Sequence, residues 1–273
     1  MSSDKFHLVR PSPWPIFTSS AACGLVIALA LYMHSTAYSG IAFFSFLILL
    51  LLCMFCWWKD IIIEAITENA HSNIVKTGLR IGMVVFILSE VMFFFAFFWS
   101  FFTSWLSPAY VLEDLWPVKL LNWPPEGIQT LDPWSIPFLN TLILLLSGTT
   151  VTWAHYSLLN NDNKNVIKAL IITVLLGLCF TSLQAYEYYH ASFLFHEEGY
   201  KSIYSSNFYL ATGFHGLHVI IGTIFLATCL VRAMKKQLTH KDHLGFEFAA
   251  WYWHFVDVVW LFLFTFLYWL SAA

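Results

Sequence analysis

Charge is what this sequence has least of. Asp, Glu, Lys and Arg make up 11% of its 273 residues, against roughly 25% in a soluble globular domain. So few charges cannot cover a water-facing surface of that extent, and a soluble fold is excluded on composition. Neither sign is in large excess. A net charge of −3 provides no basic footprint, so no nucleic-acid partner is expected. Cysteine is sparse and odd in number: Cys23, Cys53, Cys56, Cys179 and Cys229 all fall in apolar runs, which argues against a disulfide framework. Cys53 and Cys56 form a lone C-x-x-C with no second pair and read as small membrane hydrophobes. Internal repeats of a known period are missing, and proline is confined to span ends and loops.

What is abundant is apolar sequence, at 59%. A transmembrane helix needs about 20 mostly apolar residues. Seven runs meet that length, at about 15–35, 40–62, 80–106, 135–159, 167–188, 206–232 and 245–271. The first is too long for a secretory h-region and has no small-residue cleavage site behind it, so it is expected to be a retained span. The expectation is an all-α integral membrane protein with one domain over 1–273. The polar stretch from Lys59 to Lys76 would separate a two-helix unit, about 15–62, from a five-helix unit, about 80–271.

The basic residues orient the spans. With the N-terminus inside, inner segments hold Lys5, Arg10, Lys59, Lys76, Arg80, Lys164, Lys168, Arg232, Lys235, Lys236 and Lys241, and outer segments only Lys119 and Lys201. That bias is what the positive-inside rule predicts, and it places the C-terminus outside. The longest outer loop, from Ser107 to about Trp134, holds five prolines and is expected to lie as a stiff cap on the outer face. Asp132 and Pro133 are expected to cap and open the fourth span.

Ionisable groups at membrane depth each need a reason. Glu90 lies ten residues beyond Arg80, about 15 Å further along the helix and near the middle of a ~30 Å core. It is either a proton-handling or lipid-modulated carboxyl, or an uncharged acid bonded to a neighbouring helix. His215 and His218 in the sixth span, and His254 and Asp257 in the seventh, are i, i+3 pairs that share a helix face. Gly213 and Gly216 are expected to let a neighbouring helix come close. Three histidines and an aspartate on adjacent helices invite a metal or haem reading; the alternative is a structural polar network bridging the last two spans. His155 reads as interfacial. At the inner edge, Trp57, Asp60 and Glu64 share a face of the second helix, followed by Lys59, His71, Lys76 and Arg80. Tryptophan and basic groups at headgroup depth suit an anionic phospholipid; the alternative is the ordinary positive belt.

Eight stretches, in order, carry a family resemblance: P-S-P-W-P from Pro11, W-W-K-D from Trp57, S-E-V-M-F-F from Ser89, W-P-P-E-G-I from Trp123, T-W-A-H from Thr152, Q-A-Y-E-Y from Gln184, A-T-G-F-H-G-L-H-V-I-I-G from Ala211 and W-Y-W-H-F-V-D-V-V-W from Trp251. Together the sequence resembles subunit III of the haem–copper cytochrome c oxidases, of alphaproteobacterial and mitochondrial type. Lys59 departs from the family's frequent arginine, and the stretch from Glu113 to Asn122 is closer to the alphaproteobacterial members.

The resemblance implies a V-shaped arrangement of two and five helices with phospholipids in the cleft. By matching position, Trp57, Trp58, Glu64, His71, Arg80 and Arg232 would contact lipid. Glu90 would be the intramembrane carboxyl beside the cleft, and His215, His218, His254 and Asp257 a structural network. It further implies a subunit without a catalytic centre, metal or other cofactor of its own. The partners would be subunit I, chiefly, and subunit II, which hold haem a and copper. The complex transfers electrons from cytochrome c to oxygen and translocates protons, in the mitochondrial inner membrane or the bacterial cytoplasmic membrane. Two rival readings of the same residues are a di-haem cytochrome using His215, His218 and His254, and an ion-coupled transporter using Glu90 and Asp257. The missing inverted repeat speaks against the transporter.

Overall fold

The computed structural model describes residues 11–67, 72–106, 123–125, 127–195, 201–240 and 242–270. Among them are seven helices long and apolar enough to cross a membrane. In chain order these are α1 (Trp14–Met33), α2 (Ser39–Thr67), α3 (Asn73–Leu106), α4 (Ile136–Leu159), α5 (Asn163–His190), α6 (Lys201–Met234) and α7 (Leu244–Leu263), the last continuing into a π-helical turn, Phe264–Leu270. The chain divides into two compact units, Met1–Leu79 and Arg80–Ala273.

In the first unit α1 and α2 form a hairpin. Pro13 and Pro15 flank the start of α1, where a missing N–H costs no helical hydrogen bond. The connecting turn uses Ser35 and Tyr38 at positive φ, and the Thr36 and Ser39 hydroxyls donate to the Leu31 and Thr36 carbonyls. At the other end the Trp14 indole donates to Asp60 Oδ2 at 2.6 Å, which ties the two helices together. Between these points the Phe46 ring lies on Gly24, where a Cβ would overlap it.

In the second unit α4 packs on α5, α5 on α6, α6 on α7, and α7 returns to α4. The α7 span is the most buried of the seven and α3 the least. Trp253, wholly buried, sits at the middle of the four-helix core. Its indole donates to Ser147 of α4 at 2.8 Å, and its ring fills space left by two glycines. A Cβ on Gly177 of α5 or Gly222 of α6 would come within 2.9 Å of that ring. Lipid tails are as apolar as leucine, so close packing of this kind holds membrane helices together. The part of α3 in this unit is attached through rings: Phe93 to Phe214 at 5.0 Å, Phe94 to Phe255 at 6.1 Å and Phe102 to Phe266 at 5.0 Å.

Several expectations shift. The helices α3 and α5 start well before their apolar runs do, because caps carry them into the headgroup layer. The Ser72 hydroxyl accepts from Val75 N at the start of α3, and Asp162 accepts from Asn165 at the start of α5. Asp132 does not open α4. It accepts from Trp134 N within a preceding turn, and Ser135 is the N-cap, with Pro137 in the first helical turn. The expected close-approach glycines are also displaced. Gly216 has open space within this chain and Gly213 meets only the Tyr188 hydroxyl at 3.9 Å, while Gly177 and Gly222 carry the packing. The five cysteines are free thiols. The N-terminal stretch before Pro11, and the outer loop over 107–122, lie outside the described residues.

Candidate functional site

Glu90, on α3, is the acid at membrane depth, and its partner is His218 of α6: His218 Nε2 lies 2.9 Å from Glu90 Oε2. The two side chains are 22% and 10% exposed, so the contact is largely shielded. His218 Nδ1 lies 2.6 Å from the Phe214 carbonyl four residues earlier. A carbonyl can only accept, so Nδ1 carries a hydrogen. One further proton then lies between Nε2 and Oε2, giving either a neutral acid against a neutral imidazole or a carboxylate against an imidazolium. The rings of Phe93, Phe94, Tyr252 and Phe255 surround His218 at 5.1 to 6.3 Å.

Of the remaining members of the expected network, His215 stands apart, while His254 and Asp257 both approach Gly148 of α4. His215 is 1% exposed and stacks on Trp260 at 5.3 Å, with Phe180 edge-on at 5.8 Å; neither ring nitrogen has a hydrogen-bond partner among the described residues. His254 is exposed and its Nε2 lies 3.3 Å from the Thr152 hydroxyl of α4. Asp257 is buried against Gly148, and its Oδ1 is unpartnered among the described residues. His215 and His218 therefore face different neighbours: His218 reaches α3, while His215 is walled by aromatic faces. Among the described residues no three His, Cys, Asp or Glu side chains converge in a ligand set.

The residues expected at the lipid-facing edge fall in both units. In the first, Trp57 and Glu64 are half-buried, Trp58 is exposed, and Asp60 is held by Trp14. In the second, Arg80 forms a bidentate pair with Glu247 of α7, with Nε–Oε1 and Nη2–Oε2 both at 2.9 Å. Arg232 is half-buried, with its Nε unpartnered among the described residues and a terminal nitrogen packed on Gly245. His71 lies outside the described residues. His155 packs 5.7 Å from His243 and 5.9 Å from Phe246 near the same end of α4 and α7.

The family model for cytochrome c oxidase subunit III matches residues 4–272. The chain belongs to the cytochrome c oxidase subunit III family. A protein named "Probable cytochrome c oxidase subunit 3" from Rickettsia felis is 56% identical over 268 residues, covering 97% of this chain and 95% of that one. "Cytochrome c oxidase subunit 3" of Arabidopsis thaliana is 53% identical over 264 residues, covering 97% and 96%. The same-named protein of Prototheca wickerhamii is 50% identical over 273 residues and covers both chains in full. The family resemblance seen in the sequence motifs therefore holds along the whole chain. With seven span-capable helices among the described residues, it is a membrane protein of this family.

Two features of this family member went unnoticed in the sequence. One is the cross-helix partner of Glu90. The other is a second buried acid, Glu187 of α5, which is 3% exposed; the Tyr268 hydroxyl donates to its Oε1 at 2.7 Å and Gln184 Nε2 lies 3.3 Å away. Glu187 lies in a Tyr-Glu-Tyr-Tyr-His helix end, a composition that reads as headgroup-level sequence. Only the π-helical turn that brings Tyr268 over it shows that it is enclosed.

Proposed function

We propose that this chain is the accessory, non-redox subunit III of an aa3-type cytochrome c oxidase. It packs chiefly against subunit I, with subunit II in the same complex; those partners hold haem a and copper, and the complex reduces oxygen with electrons from cytochrome c while translocating protons. The chain's own part is physical. Its helices stabilise subunit I during turnover. Phospholipids at Trp57, Trp58, Glu64, His71, Arg80 and Arg232 would supply an apolar route in which oxygen partitions well. Packing near the proton-uptake mouth would keep local carboxyls poised. The termini lie on opposite sides, N inside and C outside, in a mitochondrial inner or bacterial cytoplasmic membrane.

The observation that carries this reading is the whole-chain family match over residues 4–272. Two details bear on its parts. Arg80 already satisfies Glu247, so in a lipid contact it would offer phosphate only the nitrogens that pair leaves free. Arg232 is half-buried and has no carboxylate partner among the described residues, so its terminal nitrogens are the better placed of the two for phosphate. The test is removal of this chain from the assembled oxidase. Electron transfer should persist, proton uptake should slow and the number of turnovers before inactivation should fall. Unchanged turnover and lifetime over a wide pH range would overturn the proposal.

A further inference from the structure

Four of the polar atoms buried in the α4–α5–α7 core without a hydrogen-bond partner among the described residues belong to three residues: Asn140 Nδ2 and Oδ1, Gln184 Oε1, and Glu187 Oε2. Their residues are 0%, 5% and 3% exposed. Within a bundle embedded in hydrocarbon, such atoms have no solvent to turn to, and leaving them unpaired is costly.

The helical register sets them at neighbouring levels of the bundle. The antiparallel helices α4 and α5 are pinned by the Thr150 and Thr173 hydroxyls, 2.8 Å apart. Asn140 lies ten residues before Thr150 and Gln184 eleven after Thr173, so the two amides stand within about 1.5 Å of the same level. Glu187 lies one turn further along α5, on the same face as Gln184. The α7 segment closes the third side. Trp260 donates to Thr141, next to Asn140, at 2.9 Å, and Tyr268 donates to Glu187 at 2.7 Å; the Trp260 and Tyr268 rings are 5.7 Å apart. Phe208 of α6 covers Tyr268 at 5.2 Å.

The set has a definite chemistry. Three oxygens want donors, and the amide nitrogen of Asn140 wants an acceptor. A bare cation would serve the oxygens and be repelled by the amide N–H. An anion would meet the Glu187 carboxyl. An apolar guest would leave all four atoms unpaired. Water both donates and accepts, and a buried water needs two to four polar partners. We propose that Asn140, Gln184 and Glu187 form a hydration site that holds ordered water inside the α4–α5–α7 core, with Tyr268 and Trp260 as its walls. The water reaches the carboxyl oxygen that Tyr268 leaves free. The site depends on the membrane-embedded fold alone and stands apart from the accessory role proposed above.

Hydroxyl-radical footprinting by X-ray radiolysis tests the proposal on the chain purified from its native membrane with its partners bound. Bound water is the radical source next to a buried ring, so Tyr268 should label about ten-fold faster than Trp253, an equally buried ring packed against glycines. In the Asn140→Leu, Gln184→Met double variant, Tyr268 should fall to the Trp253 rate while Trp253 is unchanged. Wild-type Tyr268 labelling as slow as Trp253 means a dry site and overturns the proposal. Labelling suppressed by sodium but not by choline means a bound cation and overturns it equally. Should the double variant not assemble, the wild-type ratio decides the question by itself.

Discussion

Removing the Glu90 carboxyl separates a hydrogen bond from a shared proton. His218 Nδ1 is committed to the Phe214 carbonyl, so Nε2 has only Glu90 as its partner. Glu90→Gln keeps a donor opposite Nε2, because the amide N–H replaces the acid O–H. Its effect on stability should stay under about 1 kcal/mol, the net worth of an ordinary hydrogen bond. Glu90→Ala leaves Nε2 unpaired on a side chain that is 10% exposed, which should cost about 1–3 kcal/mol. His218→Ala should cost more, since it also removes a ring packed among four aromatics. If the pair is real, the double alanine variant should be less destabilised than the two singles added, with a coupling of about 0.5–3 kcal/mol. Unfolding of the chain in mixed detergent–SDS micelles, followed by tryptophan fluorescence, measures all four. Strict additivity, or Gln as harmful as Ala, would refute the pairing. The Gln variant also isolates the proton, because a change in oxidase turnover lifetime at unchanged stability would belong to the proton alone.

Other outcomes follow from the same geometry. Gly222→Ala places a Cβ within 2.9 Å of the Trp253 ring and should destabilise by about 1–3 kcal/mol; Trp253→Leu should relieve part of it, and additive penalties in the same unfolding assay would contradict the packing. Glu247→Gln should weaken the grip on Arg80, yet Arg80's side chain is 44% exposed, so after solvent screening the loss should stay near or below about 1 kcal/mol, and a thermal shift beyond that size argues that the pair is covered. In lipid extracts of the purified chain, Arg232→Gln should reduce co-purifying anionic phospholipid more than Arg80→Gln does; equal loss would remove the ranking argued from their partners. A small label at the C-terminus should react from the outer face of sealed vesicles, and reaction from the inner face would reverse the proposed topology.

The spans were readable because hydrocarbon imposes a length and an apolar composition that few other environments require. Their starts were less so. Hydropathy marks the lipid core, whereas α3 and α5 begin further out, where Ser72 and Asp162 cap the first turns. Residue types at depth were visible for the same reason: Glu90, His215, His218, His254 and Asp257 are conspicuous in apolar runs. Their pairing was not. An i, i+3 spacing tells which side chains share one helix face, and nothing about which face meets another helix. His215 and His218 therefore looked like a unit, although one stacks on Trp260 and the other reaches α3. Glu187 was hidden by its neighbours, because tyrosines at a helix end read as interface until a wide turn of α7 brings Tyr268 over the acid.

This polypeptide is proposed to serve a redox complex without holding a redox centre of its own. Gentle solubilisation of the native membrane, affinity capture of this chain, and optical and metal analysis before and after its separation from its partners test it directly. The captured complex should carry haem and copper, and the separated chain should show no Soret band and no stoichiometric iron or copper. A Soret band, or a full equivalent of either metal, remaining on the separated chain would contradict the account.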